Sequence, residues 1–368
     1  MIDVINVMDA AMQRRIVCFL LILLFIAIET MFYVGDEEHS DSKMSYNMNA
    51  NNNNVILNTI MPNNNATYEK FGFYIMGDTP YAKWEDSMLQ FQMQELKHQV
   101  RDHMLFTVHV GDIQKVQRTN CSESHYQHVA DVLRAGPLPT LVIPGDNDWF
   151  DCPDREASFS HFSTHLTGLD RDWNHQLPLV RHAKHPELFA MEQNGILFLS
   201  IHLINAPIKD ESPNLWADRM QRNQDWVTHT LDAYFSKSSM IRGVVVLGHS
   251  LRSPRTRPFF EFLATHFVRN RQRLKIPVVY LHGDGHDWDV DYKFNHQLGW
   301  KYFYDVQVDQ GAKADPCIVE FAKQVNGKMI PLRLENDNQL LLGRGLVRID
   351  RQRGRYTDEY LKDWAASQ

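Results

Sequence analysis

The stretch Val142-Ile143-Pro144-Gly145-Asp146-Asn147-Asp148-Trp149-Phe150-Asp151-Cys152 decides how the rest of the chain is read. A short β-branched run stops at Pro-Gly, and three carboxylates and an amide then crowd the loop beyond it. A plain turn needs one Asp or Asn and one Gly. Carboxylates gathered at a strand end repel one another unless they share a cation. The same grammar, an apolar run followed by Gly-Asp or Gly-His, recurs at Gly77-Asp78, Gly111-Asp112, Gly248-His249 and Gly283-Asp284-Gly285-His286.

Upstream of that loop, residues 71–76, 104–110 and 141–143 read as buried strands, and 84–103 and 126–135 carry helical spacing. The intervals between Asp78, Asp112 and Asp146 are each about 34 residues, the length of a strand–loop–helix unit, which predicts an α/β fold. Downstream, 196–203, 243–249 and 276–281 read as strands, with helices over 159–166, 219–235 and 258–271. Residues 304–308 and 318–321 read as antiparallel strands. No linker interrupts residues 70–350, so one folded domain is expected, followed by a ragged, charged tail over 351–368.

If the strands preceding the five blocks share one sheet, their C-terminal ends bring Asp78, Asp112, Asp146, His249, Asp284 and His286 to one edge. Carboxylate oxygen mixed with imidazole nitrogen suits Mn, Fe or Zn, whereas an all-oxygen set would suit Mg or Ca. Six such donors suffice for two divalent or trivalent ions sharing a carboxylate, the arrangement that activates water for displacement at phosphorus.

The blocks Gly77-Asp78, Gly111-Asp112, Pro144-Gly145-Asp146-Asn147-Asp148, Gly248-His249 and Gly283-Asp284-Gly285-His286 together resemble the calcineurin-like metallophosphoesterases, over roughly residues 71–290. Gly77-Asp78-Thr79-Pro80-Tyr81 and the Pro144–Cys152 phrase are similar to a divergent subgroup of that superfamily. The resemblance implies a four-layer α/β/β/α sandwich. It implies Asp112 as the shared ligand, with Asp78 and His286 at one metal and Asp146, His249 and Asp284 at the other. Two departures matter: Pro80 replaces a family imidazole ligand, and Asn147 takes the seat of the family's catalytic His. An amide exchanges no proton near neutral pH. Tyr81 is similar to the tyrosine of a purple acid phosphatase block, but there that block is the second and here it is the first. Packing or a phosphate contact is therefore expected of Tyr81.

Other residues receive plainer expectations. His109 reads as a core histidine, and His202 as a strand-end residue able to line the site. His282 is an alternative ligand if the last loop is shifted by a register. Asp148 and Asp151 read as turn or ligand-orienting residues, Trp149 as packing under its loop, and Arg252 as a possible phosphate partner. Cys121 and Cys152 each follow a candidate ligand loop, which suggests a disulfide; free thiols are the alternative.

A formal net charge of −7 and a pI near 6.2, without a basic stripe, argue against nucleic-acid binding. Arg14 and Arg15 precede an apolar run over 16–28, and acidic residues follow it. This predicts a cytosolic segment 1–15 and a signal anchor or cleaved signal peptide over 16–34. The remainder would face the lumen or exterior, or be secreted if the segment is cleaved. Residues 35–69 are Asn-rich and poor in apolar groups, as in a disordered stalk, and Asn65 and Asn120 stand in glycosylation sequons. The expected activity is metal-dependent phosphoester hydrolysis. The competing expectation is a catalytically silent binding module on a membrane stalk. No Gly-x-Ser-x-Gly nucleophile elbow is present.

Overall fold

Strands β1 (Lys70–Met76), β2 (Met104–His109) and β3 (Thr140–Val142) are nearly uninterrupted apolar runs, the pattern of strands covered on both faces. This computed structural model describes residues 70–205, 212–237, 240–291, 297 and 299–367. The expected cytosolic segment, anchor and stalk therefore lie outside the described residues. Among the described residues, no helix is long and apolar enough to cross a membrane.

The chain continues through β4 (Val180–Arg181), β5 (Phe189–Gln193), β6 (Ile196–Ser200), β7 (Gly243–Leu247), β8 (Val278–His282), β9 (Asp289–Asp291) and β10 (Phe303–Gln307). It ends with β11 (Cys317–Ala322), the ribbon β12 (Gln324–Val325) and β13 (Lys328–Met329), β14 (Gln339–Leu342) and β15 (Val347–Asp350). Two main sheets result, ordered β14-β15-β11-β1-β2-β3 and β4-β5-β6-β7-β8-β10-β9. In the first, β1, β2 and β3 run parallel and β11 pairs antiparallel to β1. In the second, β6, β7, β8 and β10 run parallel.

The sheets face each other across a core in which Phe73 and Phe106 stack at 4.8 Å. Phe198 of the second sheet meets Phe73, Phe106 and Phe321 edge-on at 5.8, 5.6 and 5.4 Å, a geometry the ring quadrupoles favour. Helices α1 (Lys83–Gln99), α2 (Glu123–Arg134) and α3 (Arg155–His165) cover the outer face of the first sheet through Leu89, Met93, Tyr126, Leu133 and Phe162. Helices α4 (Pro213–Lys237) and α5 (Arg257–Val268) cover the second through Trp226, Val227, Phe259 and Phe260. The order of layers is helices, sheet, sheet, helices.

The block-bearing strands divide between two stacked sheets, as in the four-layer sandwich the resemblance implied. Two expectations need correction. The 303–307 strand pairs parallel with β8 and antiparallel only with β9. Residues beyond 351 are not simply a ragged tail: α6 (Asp358–Ser367) turns Leu361 and Trp364 onto Trp84, Met88, Phe91 and Tyr356, burial its charged neighbours concealed from view.

Candidate metal centre

Each block follows a strand whose C-terminal end opens at the same edge of the sandwich. β1, β2 and β3 deliver Asp78, Asp112 and Asp146, while β7 and β8 deliver His249, Asp284 and His286. Backbone geometry marks the same residues. Asp78, Asp112, Asp284 and His286 all have positive φ, at 56°, 59°, 70° and 67°. Left-handed conformations cost non-glycine residues energy and cluster where a side chain must be aimed. Gly111 has φ +95°, and a Cβ there would lie 2.6 Å from the Gly145 nitrogen. A Cβ on Gly145 would in turn collide with the Asp112 carboxylate. The glycines of the blocks thus let the two loops close on Asp112.

The donors converge in two overlapping groups, Asp78–Asp112–His249 and Asp146–His249–Asp284, each with its ligand atoms within 4.8 Å of one another. The groups share His249, where the resemblance implied that Asp112 is shared. His286 stands outside both, with Nε2 3.6 Å from Asp78 Oδ1 and 43% of its side chain exposed. Across the sheets, the Asp284 N–H donates to Asp78 at 3.0 Å, and His249 Nδ1–H donates to the Val110 carbonyl at 2.8 Å.

That second bond fixes the imidazole so that Nε2 faces the cluster. Nε2 lies 3.3 Å from Asp112 Oδ1 and 3.4 Å from Asp146 Oδ1, yet it is buried and makes no hydrogen bond of acceptable geometry. Burial alone would depress the His249 pKa, but Asp112, Asp146, Asp78 and Asp284 outweigh it and raise the pKa well above the ordinary value. Burial pushes the Asp78 carboxyl up and the Asp112 carboxyl well up. Two unit charges 4.8 Å apart repel by about 3 kcal/mol at an effective dielectric near 20. Compensation by one imidazole is too little for Asp78, Asp112, Asp146 and Asp284 together. A metal cation could take the place of the proton that the raised pKa puts on Nε2 and neutralise the carboxylates around it, and the mixed N/O donor set fits such an ion.

Asp112 is held in detail. Asn147 donates to it twice, from its backbone N–H at 3.0 Å and its side-chain amide at 2.8 Å. Tyr81 donates its hydroxyl to Asp112 Oδ2 at 2.7 Å and lies 3.3 Å from both Asp78 Oδ1 and His286 Nε2. Burial, then Asp112 and Asp78, raise the Tyr81 pKa well above its usual value, so the phenol is a donor here. Sequence reasoning did not find this contact of Tyr81, because Asp112 lies 31 residues away. Asp148 is fully buried and accepts N–H bonds from Asp112, Ile113 and Gly145 at 2.9, 2.7 and 2.7 Å, the orienting role expected of it. Asp151 is exposed.

His109 is a buried residue whose Nε2 bonds the Thr79 carbonyl at 3.1 Å, and burial lowers its pKa to about 4. His282 turns to Asp305 and to the Gly283 carbonyl, and joins neither donor group. Arg252 is committed to ion pairs with Asp291 and Asp305, which removes it as a phosphate partner. His202 pairs with Glu187 at 3.2 Å and stacks near Trp149 and Phe159, lining a neighbouring cavity. Cys121 and Cys152 form a disulfide that ties the loop after β2 to the loop after β3, and Cys317 is a buried free thiol.

Neither protein-family models nor curated proteins match this chain. Among solved structures, GAP50, the anchor in the inner membrane complex of Plasmodium, aligns with TM-score 0.38 and 11% identity, covering 69% of this chain and 82% of that one. TT1561 of Thermus thermophilus aligns with TM-score 0.37 and 11% identity, covering 68% of this chain and 94% of that one. The sulfate thiohydrolase SoxB of Thermus thermophilus, in complex with glycerol, aligns with TM-score 0.36 and 13% identity, covering 77% of this chain and 45% of its own. Likenesses of this size carry no argument about what the chain does.

Proposed function

We propose that the chain is a metal-dependent phosphoester hydrolase of the calcineurin-like metallophosphoesterase type. The observation that carries this reading is the convergence of Asp78, Asp112, Asp146 and Asp284 on buried His249, whose Nε2 faces Asp112 and Asp146 at 3.3 and 3.4 Å. Asp78, Asp112, Asp146, His249, Asp284 and His286 would hold two cations. When bound, such ions supply Lewis acidity, acidifying water and neutralising charge that develops on a phosphoryl group. The protein's own part is orientation. Asn147 and Tyr81 fix both oxygens of Asp112, and Asp148 fixes the backbone on which Asp112 stands. Asn147 donates hydrogen bonds but shuttles no proton, so esters with good leaving groups should be preferred. A lumenal or extracellular setting belongs to the same proposal, and the Cys121–Cys152 bridge supports it.

Purified full chain supplied with Mn or Fe should hydrolyse an aryl phosphate or diester, and Asp112→Asn should remove that turnover. Silence across metals and a broad phosphoester panel would end the reading. The Asn147 amide also favours a second reading, a metal-bearing but silent binding module, which predicts bound metal with no turnover.

A further inference from the structure

The turn that carries Asp146 also builds the wall of a second feature. The Trp149 and Phe150 N–H groups donate to the Asp146 carbonyl at 3.3 and 2.8 Å. The side chains of these two residues line a cavity of about 620 Å³, within the range of small-molecule sites. Phe159, His202, Glu187 and Arg222 line it as well. Trp149 meets Phe159 edge-on at 5.5 Å and His202 stacks on Phe159 at 5.5 Å, while Arg155, Glu156, Asp218 and Arg219 add charge to the lining.

Polar atoms on these lining residues are conspicuously unmet. Trp149 Nε1, His202 Nε2 and Arg222 Nε are all buried without a hydrogen-bond partner, and such atoms are uncommon in folded proteins. His202 Nδ1 lies 3.2 Å from a Glu187 carboxylate oxygen and therefore donates, which leaves Nε2 as an acceptor. Burial lowers the His202 pKa to about 4, in keeping with a neutral ring. These three atoms are closed off from the cavity itself, which offers a ligand its aromatic walls.

Resting on the hydrolase reading above, we infer that this cavity is the leaving-group subsite of the metal centre and takes an aromatic ring. The shared turn connects Trp149 and Phe150 of the cavity wall to Asp146, though none of the six donors is itself a lining residue, and the aromatic walls offer contact to a planar group. An alkyl phosphoester would leave those walls uncovered.

The test compares (1-naphthyl)methylphosphonate with methylphosphonate, which share a non-hydrolysable headgroup and differ in the ring. Titration calorimetry on manganese-loaded full chain should show the naphthyl probe binding roughly tenfold tighter. In Phe159→Leu and in Trp149→Leu the ratio should fall to about twofold or less. Far-UV circular dichroism identifies a variant that fails to fold, and the other then carries the comparison. Equal affinity of the two probes in the wild type overturns the subsite, as does a ratio that survives both substitutions. An aryl preference without hydrolysis of any aryl phosphate leaves an aryl-binding cavity but removes its leaving-group role along with the hydrolase reading. Hydrolysis without an aryl preference removes the subsite and keeps the hydrolase reading, and failure of both probes to bind overturns both.

Discussion

The loop after β3 and the loop after β8 both carry candidate ligands, but they are held to very different degrees. In the first, Asp148 gathers three buried N–H groups, the Asp146 carbonyl accepts from Trp149, Phe150 and Asp151, and a disulfide ties Cys152 to Cys121. In the second, the Asp284 N–H reaches Asp78, the Gly285 N–H bonds the Gly283 carbonyl, and the Gln310 N–H bonds the His286 carbonyl, while the His286 side chain stays 43% exposed. One half of the centre is therefore fixed by buried hydrogen bonds and a disulfide. The other presents a half-exposed imidazole whose side-chain contacts are the Tyr81 hydroxyl at 3.3 Å and Asp78 at 3.6 Å, so its loss should disturb the fold less.

The largest effect should come from Asp148→Ala, which orphans three buried donors at once. At about 1–3 kcal/mol for each unmet donor, a loss of roughly 4 kcal/mol is expected in urea unfolding of the metal-free protein. A loss near zero would mean that the loop is held by something other than this carboxylate. Removing the disulfide, as Cys121→Ala with Cys152→Ala, opens a loop of sequence separation 31 and should cost about 3.5 kcal/mol. Both changes touch the same loop, so their sum should not be additive.

A pH series probes the packing beneath the first-sheet loops. Burial lowers the His109 pKa from 6.5 to about 4. In between, the unfolded chain holds the proton and the native protein does not, so stability rises with pH and falls as the pH drops below 6.5. The expected loss from pH 7 to 5 is about 2 kcal/mol, and His109→Gln should flatten that part of the profile by this amount. A profile unchanged by the substitution would place the pH dependence elsewhere. The smallest effect belongs to the second loop. His286→Ala should change metal-free stability by less than about 0.5 kcal/mol, as for a surface residue, while weakening cation binding by roughly tenfold or more in calorimetric titration. A large stability loss would contradict the contrast between the loops.

The same contrast explains what could be read from the sequence. The Gly-Asp and Gly-His blocks were legible because the end of a buried strand is a local feature, and a strand end is where each donor sits. The partition of their strands into two sheets was not legible from periodicity, because β7 and β8 are buried runs indistinguishable from β1 and β2. Tyr81 was misjudged because its decisive contact is with Asp112, 31 residues away. Arg252 looked available because its partners Asp291 and Asp305 are 39 and 53 residues distant. The α6 helix was missed because its apolar residues are few and charged residues surround them.

The central claim is that six strand-end side chains form one cation centre that depends on Asp112. Metal analysis of the purified protein, wild type beside Asp112→Ala, tests it without reference to any substrate. Close to two equivalents of a transition metal in the wild type, falling sharply in Asp112→Ala, is the result the account predicts. No retained metal in the wild type, or the same content in both proteins, would contradict it.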